Sequence, residues 1–83
     1  MTYEEEIKKA ETLCEKMGKI PVFKGIEFFY LGWGKVGDLE KCLFRIFRHG
    51  NARHVEAWET GKDIIITEEN SNEFYIMVGG AET

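Results

Sequence analysis

Apolar residues recur at Tyr3, Ile7, Ala10, Leu13, Cys14 and Met17. This i, i+3, i+4, i+7 spacing gathers side chains on one face of a helix. Thr2, followed three residues on by Glu5, forms the Thr-x-x-Glu signature of a capping box. Glutamates fill the first turns and Lys16 lies near the end, the arrangement a helix dipole favours. With Gly18 as a left-handed stop, the pattern predicts a helix over 3–17. Pro21 blocks its continuation. Val22 and Phe23 read as a short leading strand before a bend at Lys24-Gly25. The segment 26–31, dense in aromatic and β-branched residues, reads as a strand buried on most of both faces.

Three glycines, Gly32, Gly34 and Gly37, separate that strand from the segment 39–49. Within it, Leu39, Cys42, Leu43, Ile46 and Phe47 repeat with helical spacing. Asp38 stands at the position of an N-cap, Gly50 at that of a terminator, and Arg45, Arg48 and His49 near the C-terminal end. Read as a strand, residues 42–47 have suitable propensity but poor alternation. Caps and period agree on a second helix over 39–49.

Beyond Gly50-Asn51 the period becomes two. Residues 53–59, 63–67 and 74–78 read as strands, separated by the turn Thr60-Gly61-Lys62 and the polar stretch 68–72. Gly79-Gly80 ends the last strand, and 81–83 form a frayed tail. Short connections make these three strands antiparallel. The expected fold is a single α+β domain over 1–83. Its order is α-β-α-β-β-β, with two helices packed on one face of a mainly antiparallel sheet in a two-layer sandwich.

A chain of 83 residues buries only roughly 60–65 % of its unfolded surface, which leaves little room for a deep catalytic cavity. It carries neither a basic, apolar leader nor a bilayer-length apolar run, so a cytoplasmic protein without a membrane partner is expected. The two cysteines, Cys14 and Cys42, fall on apolar faces and read as reduced core thiols, the alternative being one disulfide between them.

Two patterns carry candidate chemistry. Four of the 11 basic residues, Lys41, Arg45, Arg48 and Arg53, lie between 41 and 54 together with His49 and His54, where none of the 15 acidic residues falls. On a helix, Lys41, Arg45 and Arg48 span about 60° opposite the apolar face. With Phe44, His49 and Arg53 they form a candidate surface for another protein or an anionic macromolecule. The net charge of −4 makes nucleic acid an unlikely partner. The second pattern, Gly32-Trp33-Gly34-Lys35-Val36-Gly37, matches G-x-G-x-x-G between a predicted strand and a predicted helix. It makes Gly32, Trp33, Gly34, Lys35 and Gly37 candidates for a small ligand or nucleotide. Asp38, where a pyrophosphate would lie, and the closing meander both oppose a dinucleotide fold.

No metal or cofactor site is expected. His49, His54, Cys14 and Cys42 lack the paired spacing of a zinc site. The run 68–73 lacks the alternating aspartates and central glycine of a calcium loop. Ser71, the single serine, sits in a predicted turn with no base placed to activate it. The leading expectation is a non-enzymatic binding or regulatory module acting through the basic helix face. The alternative is a ligand-binding domain using 32–37.

Overall fold

The computed structural model describes residues 2–71 and 73–77, with Val36 described by its backbone alone. Its elements are helix α1 (Tyr3–Met17), a 3-10 turn at Pro21–Phe23, and five strands: β1 (Phe29–Val36), β2 (Leu39–Arg48), β3 (Asn51–Thr60), β4 (Asp63–Glu68) and β5 (Phe74–Met77). The strands form one antiparallel meander in chain order. The expected end of the last strand at Val78, its Gly79-Gly80 stop and the tail 81–83 lie outside the described residues.

Helix α1 follows the sequence pattern. Thr2 accepts from the Glu5 N–H at 3.2 Å while the Glu5 carboxylate accepts from the Thr2 N–H at 2.9 Å, closing the capping box. Ala10, Leu13 and Met17 are buried against the sheet. Gly18 stops the helix in a right-handed, not left-handed, conformation (φ −65°). The last turn instead tightens through Lys19 N–H to Lys16 O and Ile20 N–H to Met17 O, and Pro21 opens the 3-10 turn that the expected short strand at Val22-Phe23 becomes.

The two-helix sandwich is overturned: among the described residues there is one α-helix, and most of the fold is sheet. Residues 39–48 form β2 and pair with strands on both sides. Cys42, Phe44 and Ile46 alternate inward and are fully buried. Leu43 and Phe47 point to the other face, and these outward apolar residues hid the alternation. The residues read as helix caps serve as hairpin turns. Gly37-Asp38 joins Val36 to its partner Leu39, and His49-Gly50 joins Arg48 to its partner Asn51. Positive φ at His49 (53°) and Gly50 (82°) gives the second turn the twist a two-residue hairpin requires.

The core lies between α1 and the inner sheet face, where Val55 and Ala57 of β3, Ile64 and Ile66 of β4 and Met77 of β5 join Phe23, Phe44 and Ile46. At one end of this face Arg48 grips Glu68 through two hydrogen bonds of 3.0 Å. Its third nitrogen donates to Val22 O at 3.1 Å, and the guanidinium lies 5.6 Å from the Phe23 ring centre. The pair therefore ties β2, β4 and the 3-10 turn together. No helix among the described residues is long and apolar enough to cross a membrane.

The strand assignment of 39–48 reverses which aromatic matters. In denaturant titrations, Phe44→Ala is expected to cost about 3–5 kcal/mol by leaving a core cavity. Phe47→Ala, half-exposed and touching Phe29 edge-on, should cost about 1 kcal/mol. A larger loss at Phe47 than at Phe44 would restore the helical arrangement.

Candidate functional site

Strands β2 and β3 pair from Arg48–Asn51 to Cys42–Ala57. The β1–β2 ladder continues to Val36–Leu39, and the β3–β4 ladder to Thr60–Asp63. Two hairpins thus outrun the ladder they share, and the facing edges at 39–41 and 58–60 have no ladder partner in each other. A cleft of about 540 Å³ opens there beside α1. Lys8, Lys9, Thr12, Leu13 and Lys16 of α1 form one wall; Trp33, Lys35, Asp38, Leu39 and Glu40 of the first hairpin, with Trp58 and Glu59 of β3, form the other.

The two walls differ in charge. The helix wall is cationic, while the hairpin wall sets three carboxylates against Lys35. Among the described residues none of these charged groups forms an ion pair across the cleft. Lys9 Nζ lies 5.9 Å from the centre of the Trp33 ring. At the far side, Lys41 Nζ sits 4.4 Å from the Trp58 ring centre and 3.2 Å from Glu56. The Trp33 indole N–H is buried and meets no acceptor among the described residues, a donor whose burial costs free energy.

The structure scatters the basic patch expected from the sequence. Phe44 is in the core. Lys41 and Arg45 stand on the outer sheet face, Lys41 already paired with Glu56. Arg48 faces inward and is held by Glu68, His49 forms a turn, and Arg53 lies beside Arg48 at the rim of the inner face. Lys41 and Arg48 are thus on opposite faces, because a strand alternates where a helix would have gathered them.

The glycine-rich segment is a strand and its turn. Gly32 lies at a register shift in β1, Gly34 packs with its backbone near Leu43 Cδ1, and Gly37 starts the turn with φ 63°. No helix follows, so there is no helix N-terminus to hold a phosphate. Trp33 and Lys35 nevertheless line the cleft. Sequence reasoning missed the helix wall. The available signal was Lys8, Thr12 and Lys16 at i, i+4, i+8, a cationic flank on a helix otherwise rich in glutamate.

A second hollow, of about 500 Å³, lies against the outer face between Leu31, Leu43, His54, Glu56 and Glu69. There the His54 N–H donates to Glu69 at 2.9 Å and holds its carboxyl below the usual range. The cysteines are both free. Burial pushes the Cys14 thiol up to about 11 and the Cys42 thiol to about 12. Neither offers a thiolate nucleophile at neutral pH.

At about pH 8 such thiols are ionised to roughly one part in a thousand or less. Labelling by a thiol-specific disulfide reagent is therefore expected to be slow at both cysteines in the native protein and rapid in denaturant. Rapid native labelling of Cys42 would contradict its burial. No protein-family model, no curated protein and no solved structure matches this chain.

Proposed function

We propose that this protein is a small-molecule-binding module and that the cleft between the two diverging hairpins and α1 is its site. One observation carries the reading: where the β2–β3 ladder stops, a cleft of about 540 Å³ opens beside α1 with Trp33 on its inner side and charged side chains of both signs around it. Ligand pockets combine such aromatic walls with a few polar groups in volumes of roughly 300–1,000 Å³. This reading retains Trp33 and Lys35 from the glycine-rich segment and drops the phosphate cradle. We place the module in the cytoplasm, where two unpaired cysteines stay reduced.

The test is an amide-shift screen of small aromatic fragments. Hits should perturb residues 33–40 together with the α1 residues Lys9 and Thr12, and Trp33→Ala should weaken them about tenfold or more. Fragments that perturb only other surfaces would remove the cleft as the site.

A second reading, a macromolecular partner, rests on a separate observation. The outer sheet face is uncovered, and Phe29, Leu31, Phe47, Phe74 and Ile76 are each between 44% and 59% exposed on it. Such patches mark interaction surfaces. Arg45, without an ion pair among the described residues, shares this face with Glu56 and Glu69. A face with apolar groups and both signs of charge complements itself, so its occupant is a second copy of this chain. Light scattering over a wide concentration series should give the dimer mass, and Phe47→Asp should return the monomer. A monomer at every concentration would end this reading.

A further inference from the structure

Building on the cleft as a ligand site, we infer that its ligand is a small zwitterion with an aromatic body, of the amino-acid class. The inference rests on how charge is divided between the walls. Lys8, Lys9 and Lys16 project from α1; Asp38, Glu40 and Glu59 project from the strand ends opposite. Among the described residues, none of these six is neutralised by an ion pair. This division contrasts with the cations that serve the fold. Arg48 and Lys41 each have a carboxylate within 3.2 Å.

A ligand of one sign would gain from one wall and be repelled by the other. A ligand carrying both signs gains from both, with its anion toward α1 and its cation toward the hairpin turn. Charge-assisted hydrogen bonds of this kind are the strong ones, and they are stronger in a partly enclosed cleft than in water. The body between the charges is set by Trp33, whose ring faces the inner side of the sheet and favours a flat ring in offset or edge contact. Lys9, at 5.9 Å from the Trp33 ring, is then placed to hold the ligand's anion at the aromatic wall.

A matched set of probes separates body from charge: L-tryptophan (both charges), indole-3-propionate (anion only), tryptamine (cation only) and indole (neutral). Affinities come from calorimetry and location from amide shifts. L-tryptophan is expected to bind about tenfold or more tighter than each of the other three, with shifts at Trp33, Lys35 and Lys9. The double variant Lys9→Gln/Lys16→Gln should bring L-tryptophan down toward the affinity of tryptamine. Glu40→Gln/Glu59→Gln should bring it down to that of indole-3-propionate. All four substitutions are at cleft-wall positions outside the buried core cluster, and circular dichroism of each variant checks that the fold is retained.

Equal binding of indole and L-tryptophan at these residues would overturn the zwitterion while leaving an aromatic ligand site. Tighter binding of either singly charged probe would overturn it in favour of that charge. Shifts confined to residues outside the cleft, or no shifts with any probe, would overturn the inference, while the fragment screen decides the ligand-site reading independently.

Discussion

One helix has to cover a five-stranded sheet, and it cannot. A helix with its side chains is about 10–12 Å across. Five strands spaced about 4.8 Å apart make a sheet roughly twice that width, and the ten-residue strands β2 and β3 each reach about 33 Å. Helix α1 therefore seals only the middle of one face. That is where Ala10, Leu13 and Met17 meet the buried residues of the strands. Three surfaces remain outside its cover: the whole outer face, the inner rim at Arg48, and the far ends of the two hairpins. Each is handled differently. The rim is closed by an ion pair, the outer face is left uncovered, and the hairpin ends open into the cleft.

The ion pair shows what the fold asks of a buried charge. Glu68 continues the inward alternation of Ile64 and Ile66, so its carboxylate is carried into the interior by register alone. An unpaired carboxylate there would be costly, and Arg48 meets it with both ends of a fork. Arg48 was legible in the sequence as a cation but not as a structural one. Its role follows from a partner 20 residues away that only the β2–β3–β4 register brings near.

The first helix could be read because everything that makes it is local: a cap, a period of 3.6 and a proline stop. The segment 39–49 could not, because two structures use the same residues there. Asp38 and Gly50 are good caps and equally good hairpin-turn residues, and Leu43 and Phe47 complete an apolar helical stripe only because β2 exposes apolar side chains on its outer face. Period-two burial is visible in a sequence when the solvent face is polar, and this one is not. The same uncovered face that suits an interface thus concealed the strand. Of the cleft, Trp33 and Lys35 were found through a glycine pattern whose implied phosphate cradle the fold does not build. The lysines of α1 and the carboxylates opposite meet through tertiary structure alone.

This distinction between cations sharpens what the cleft can be. A charged side chain that the fold needs is one whose partner is also part of the fold, as with Arg48 and Glu68. The cleft groups satisfy no such need: their walls bear opposite charges, yet among the described residues no ion pair closes between them. Exposed pairs that did close would contribute little, commonly below about 1 kcal/mol, so stability gives no reason to line two facing walls with opposite charge. A bridging molecule does. It would lie between groups held in place by a capped helix and a two-residue hairpin turn, and each new contact would be made without first breaking one that the fold requires.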